Sequence, residues 1–133
     1  MKKLTLTIVA AIISTCLFAN NDLEASICNL PSTNSITKSG KTFRTVTISK
    51  TAFSNCQQLT LNDKNWKVKS FSVGMTSNKN YHVIHQFDGT LSEKIHKKIK
   101  EFSPEKIYIE EIVLINENKE EKEISNFTVI ISD

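Results

Sequence analysis

The chain has a single arginine, Arg44, and its 17 basic side chains are nearly balanced by 14 acidic ones. Nucleic-acid binding draws on a concentrated excess of Lys and Arg, so no nucleic-acid partner is expected. Cysteine is equally sparse, at Cys16, Cys28 and Cys56 only. No Cys/His set has the spacing of a metal centre. The longest apolar run, Leu4 to Phe18, is broken by Thr5, Thr7, Ser14 and Thr15. It falls short of the roughly 20 residues that a membrane helix needs. No internal repeat divides the chain, and its 133 residues suffice for one domain with a buried core.

What the N-terminus does have is a leader. Lys2 and Lys3 precede the apolar run, and the small residue Ala19 meets the polar Asn20-Asn21-Asp22. A basic start, a short apolar stretch and a small residue at the boundary make an export signal over residues 1–19. Cleavage after Ala25 is an alternative, and lipidation at Cys16 another, although Thr15 stands where Gly, Ala or Ser precedes a lipidated cysteine. With Lys2 and Lys3 removed, the whole-chain charge of +3 falls by two, leaving a near-neutral mature protein. The expected location is the periplasm or the exterior, with an outer-membrane lipoprotein as the alternative. Contact with a membrane then runs only through the leader or a lipid. In an oxidising compartment Cys28 and Cys56 are expected to pair, against the alternative of two separate buried thiols.

Residues 20–41 read as a polar N-terminal arm, rich in Asn, Ser and Thr, with Pro31 and Gly40. Residues 42–133 read as a mainly β domain. β-Branched residues alternate from Thr42 onward, Gln58-Leu59-Thr60-Leu61 is a short strand, and Asn62-Asp63-Lys64-Asn65 is a turn. From Trp66 to Met75 the apolar alternation slips by one residue between Val68 and Phe71, which predicts a bulge. Asn78-Lys79-Asn80 turns the chain into a strand from Tyr81 to Phe87. One short amphipathic helix is expected over about 91–102, with Thr90 or Ser92 as its cap and Leu91, Ile95, Ile99 and Phe102 on one face. Ser103-Pro104 ends it. Lys106–Ile115 is apolar on both faces, with Ile107, Ile109, Val113 and Ile115 expected on one and Tyr108, Ile112 and Leu114 on the other. Such a strand is central in a sheet. A charged hairpin loop from Asn116 to Lys122 leads to a last strand, Ile124–Ser132. The spacing of about six or seven strands and one helix is that of an antiparallel β-sandwich.

No set of residues completes a catalytic constellation, so no catalytic residue, metal ligand or cofactor is assigned and the chain is read as a non-enzyme. His82 and His85 are three apart in a strand and point to opposite faces. Glu93 and His96 share a helix side but have no further ligands nearby. Glu110 and Glu111 are neighbours in a strand and are expected to diverge. A Cys56–histidine nucleophile is removed by the disulfide with Cys28. Asn126-Phe127-Thr128 matches a glycosylation acceptor. Lys94, Lys97, Lys98 and Lys100 cover the polar side of the helix, either as a solvated face or as an interaction face for an anionic partner.

The second half resembles the C-terminal domain of the GldM/PorM proteins of gliding motility and type IX secretion in Bacteroidetes. The likeness rests on Lys67-Val68-Lys69-Ser70-Phe71-Ser72-Val73, the turn Ser77-Asn78-Lys79-Asn80, Phe87-Asp88-Gly89, a helix ending Ile99-Lys100, and Ser103-Pro104-Glu105-Lys106-Ile107-Tyr108-Ile109-Glu110-Glu111-Ile112. It spans residues 45–131 or so. Glu105 stands where the family has Gly. The resemblance implies an Ig-like sandwich that works by binding in an envelope compartment. The expected function is thus an exported, non-catalytic protein–protein interaction module with an envelope protein as partner. A secreted or surface binder of a glycan or host factor, with Trp66 or Tyr81 as its aromatic platform, is the alternative. A small secreted hydrolase or inhibitor is the second alternative.

Overall fold

The computed structural model describes residues 23–30, 33–36 and 42–132. The leader 1–19, with the lipidation candidate Cys16, lies outside the described residues. The elements in chain order are β1 Ala25–Ile27, β2 Thr33–Ile36, β3 Thr42–Ser49, α1 Lys50–Ser54, β4 Leu59–Leu61, β5 Trp66–Ser77, β6 Asn80–Gln86, α2 Glu93–Phe102, β7 Lys106–Asn116, β8 Glu121–Ile124 and β9 Phe127–Ser132. The fold is mainly β and sandwich-like, as expected. A seven-stranded sheet runs β2-β3-β9-β7-β5-β6, with β8 also on β7, and a two-stranded sheet pairs β1 with β4. The run β6-β5-β7-β9 follows the C′-C-F-G order of a variable-type immunoglobulin sheet. One ladder, β3 on β9, is parallel and joins the first long strand to the last.

Local chemistry sets the corners. At the tip of the β5–β6 hairpin, Asn78 and Lys79 take φ 51° and 67°. A two-residue turn with both centres left-handed matches strand twist, and it fixes the register from Ser77↔Asn80 to Phe71↔Gln86. Helix α2 starts at Ser92, whose hydroxyl accepts from Ile95 N, and ends at left-handed Ser103. Helix α1 is an addition to the sequence reading. Ser49 caps it by accepting from Ala52 N, and its five residues are too few to show a helical period.

The central β5–β7 ladder carries the phase slip expected between Val68 and Phe71, and answers it with a second. Between Val68↔Leu114 and Ser70↔Val113 the extra residue is Lys69 on β5. Between Ser70↔Val113 and Ser72↔Glu110 it is on β7, where Glu111 takes φ 51°. Each bulge exchanges the faces of one strand, and together they restore the match. The expected partition of β7 is corrected accordingly. Ile107, Ile109, Ile112 and Leu114 all face the core, whereas Tyr108, Val113 and Ile115 lie half-buried on the other side. The last strand is also interrupted. β8 and β9 share one continuous register against β7, and Asn126 Oδ1 accepts the Glu111 N–H at 3.2 Å in the gap between them.

The inner face of the large sheet is covered by β1, β4, α1 and α2. Ala25, Ile27, Phe53, Leu59, Leu91 and Ile95 are buried against it. Residues 20–41 are therefore not a polar arm alone. β1 and β2 belong to the fold, but three- and four-residue strands are too short to display an alternation. The sole arginine is structural as well. Arg44 turns inward, donates from Nη2 to Ala25 O at 2.8 Å and lies over the Phe127 ring. Cys28 and Cys56 form the expected disulfide, with Cα atoms 5.4 Å apart, and it ties the end of β1 to the segment after α1. The bond spans 28 positions of chain. Its loss in a Cys28→Ser/Cys56→Ser variant is expected to cost about 3.5 kcal/mol by the chain-entropy relation. Urea titration measures this. Reductant should lower the wild-type midpoint to the variant's and leave the variant unmoved.

Candidate functional site

Two surfaces gather chemistry-bearing residues. The first is the outer face of the large sheet. Gly74 lies there on β5, one strand in from the edge, and Tyr81 lies diagonally across it from the edge strand β6. A Cβ at Gly74 would fall on the Tyr81 hydroxyl and Cζ. With one ring face on the glycine and the residue still 51% exposed, Tyr81 presents a flat aromatic surface to solvent. Its hydroxyl donates to Glu110 Oε1. Tyr108 stands beside it, ring centres 6.2 Å apart and tilted by 49°. Phe43, Thr76, Asn126 and Thr128 complete the rim of an open hollow of about 470 Å³. Partial burial of the Tyr81 hydroxyl, then the hydrogen bond and charge of Glu110, hold this phenol protonated well above the usual tyrosine range.

The bulge at Glu111 changes the expectation for the two carboxylates. They do not diverge: Glu110 reaches Tyr81, and Glu111 Oε1 lies 3.5 Å from Ser72 Oγ on the same face. Ser72 Oγ is also 2.8 Å from His85 Nδ1. Serine, histidine and glutamate are thus contiguous, but in an order unlike a nucleophilic triad. There, the acid orients the histidine and the histidine activates the serine. Here the serine sits in the middle, bonded to both, and only 3% of it is exposed. The trio locks β5, β6 and β7 together.

The three histidines go to three places, each for a structural reason. His82 turns inward against Phe102, ring centres 4.7 Å apart. His85 faces outward, so the opposite-face reading of this pair is what the strand produces. His96 donates from Nε2 to the Cys56 carbonyl at 2.8 Å and packs against Phe53. Among the described residues no group of three or more His, Cys, Asp or Glu could hold a metal ion. Trp66 is half-buried against the core and offers no platform.

The second surface is a cleft between α1 and α2, about 880 Å³ in volume. Lys94, Lys97 and Lys100 line it from α2 and Lys50 from α1. Lys98, grouped with these from the sequence, stands apart, 3.6 Å from Glu101 and over the Phe102 ring. Ser72, Gly74, Tyr108 and Lys50 were not singled out from sequence as site residues, and Asn126 only as a glycosylation acceptor. A glycine inside a strand next to a tyrosine-bearing hairpin is the one signal that pointed there.

The chain matches no model of a known protein family and no curated protein. Among the described residues no helix is long and apolar enough to cross a membrane. The disulfide accords with an oxidising compartment.

Gly74→Ala is expected to push Tyr81 off the sheet and break its bond to Glu110, costing about 1–2 kcal/mol, one hydrogen bond plus lost packing. A double-mutant cycle with Tyr81→Phe checks this, because Tyr81→Phe should then cost less in the Gly74→Ala background than in the wild type. Tyr81 supplies the pH test. Its folded pKa is raised, so its stabilisation is complete below the ordinary tyrosine range and is lost as pH rises through the raised value. Ultraviolet titration should show a late-ionising tyrosine that disappears in Tyr81→Phe and shifts to lower pH in Glu110→Gln.

Proposed function

We propose that the chain is an exported, non-catalytic protein-binding module of the bacterial cell envelope, an accessory related to gliding motility or type IX secretion. The observation that carries this reading is the edge strand β6. It ends the large sheet, and among the described residues nothing pairs with its outer edge. Natural edges are blunted by lysine, proline, a bulge or shortness. Asn80–Gln86 is seven residues long, has no Lys, Asp, Glu or Pro, and keeps unbroken register with β5. Its outward side chains Tyr81 and Val83 are exposed, and Phe87 just beyond it is 82% exposed. Such an edge accepts an extended segment of another chain by strand addition, with backbone bonds for affinity and alternate side chains for specificity.

The resemblance over residues 45–131 or so, the leader at 1–19 and the disulfide support the envelope part of the reading. The GldM/PorM proteins span the membrane and carry several tandem domains, so the resemblance bears on this domain's binding role and not on a motor shaft. A second reading, a glycan binder, is favoured by one observation, the Tyr81 face over Gly74 beside Glu110 and Asn126.

A photo-crosslinker placed at Phe87, just beyond the strand and 82% exposed, is expected in cells to capture one discrete envelope protein. Val83→Lys should abolish the adduct while changing stability by less than about 0.5 kcal/mol. Persistence of the adduct in Val83→Lys overturns strand addition. Loss of binding to envelope polysaccharide in Tyr81→Ala, with Val83→Lys unaffected, would establish the glycan reading instead. Intact mass of the exported protein, beginning at Asn20 without lipid, checks the leader.

A further inference from the structure

We propose that the cleft between α1 and α2 is a second docking site, for a short acidic and amphipathic segment of a partner protein. Two features must be matched together. The rim is cationic: Lys50, Lys94, Lys97 and Lys100 line it, with Glu93 as the one acidic lining residue. The floor is apolar: half-buried Ile99 is presented there, with buried Phe53, Pro104 and Ile131 beneath it. Lys94, Lys97 and Lys100 recur every third residue of α2, so they rise about 4.5 Å apart along one wall. All three are exposed, and no ion pair among the described residues engages them.

Charge complementarity selects the occupant. A simple anion would use the lysines and leave the floor bare. A nucleic acid would need an aromatic face for its bases, and Phe53 is only 2% exposed. A segment that alternates carboxylates with aliphatic side chains meets both the rim and the floor. The volume, about 880 Å³, lies within the ordinary range of ligand pockets and accommodates only a few side chains.

The walls are held in place before binding. His96 ties α2 to the Cys56 carbonyl, and Cys56 is tied to Cys28. Ser49 caps α1 on the opposite side. Because lysines are flexible point charges in water, the attraction is modest, fast and sensitive to salt. This site shares no residue with the β6 edge, so either can fail without the other.

The test uses the exported protein with its disulfide intact and a fluorescent peptide of alternating Glu and Leu. The peptide is expected to bind, to weaken as salt rises, and to shift backbone amides in residues 50–54 and 93–103. A Gln–Leu peptide of equal length, and the variant Lys94→Glu/Lys97→Glu/Lys100→Glu, should each weaken binding on the order of tenfold or more. Val83→Lys should change nothing. If the triple variant misfolds by circular dichroism, Lys97→Gln replaces it, with a several-fold loss expected. Absent binding, equal affinity for the Gln–Leu peptide, shifts outside the cleft, or no effect of the lysine variants overturns the proposal. So does tighter binding of phosphatidylglycerol vesicles through the same lysines, which makes the occupant a membrane surface.

Discussion

A seven-stranded sheet with one apolar face must have that face covered, and here the cover has no continuous layer of its own. It is assembled from a three-residue strand, a second three-residue strand, a five-residue helix turn and one ten-residue helix. None of these pieces is long enough to be stable alone. The Cys28–Cys56 bond makes them one unit, since it joins β1 to the segment that follows α1. Backbone bonds then carry the connection onward: Leu59 N to Gly89 O and Leu91 N to Gln57 O, both 2.7 Å, bind the β4 approach to the α2 approach. His96 closes the circuit by reaching back to Cys56. The core, the cleft and the orientation of α2 all rest on this chain of ties.

Much of the large sheet was readable because strands with one wet face alternate with a period of two. β3, β5, β6 and β9 were visible that way, and so was the slip at Lys69, where lysines and serines mark the wet side; β7 was visible instead as a run apolar on both faces. The slip at Glu111 was hidden for the opposite reason. Tyr108, Val113 and Ile115 are apolar on the outer side, so β7 shows no contrast by which its phase could be followed. That one hidden bulge is why Glu110 and Glu111 were expected to part and instead share a face. β1, β2 and α1 were missed because two periods or fewer of any pattern cannot be recognised.

The candidate surfaces divide in the same way. The lysine row is local to one helix and was legible at Lys94, Lys97 and Lys100. Its facing wall, with Lys50 and Phe53, depends on how α1 folds back and was not. The Gly74–Tyr81 contact crosses strands diagonally, so it needed the register that the Asn78-Lys79 turn imposes. The histidines illustrate a complementary point. Each has a partner that explains it without a metal or a reaction: an aromatic ring, a serine and a backbone carbonyl.

The paired bulges have a genetic consequence. Lys69 is one residue too many in β5, and the bulge at Glu111 makes β7 one too many as well. They behave as a lesion and its suppressor. Deleting either residue alone would turn half of a central strand inside out against its neighbour, whereas deleting both would leave the flanking β5–β7 pairs in place. Lineages of this domain should therefore carry the two insertions together or neither, as a single heritable character written at two distant positions.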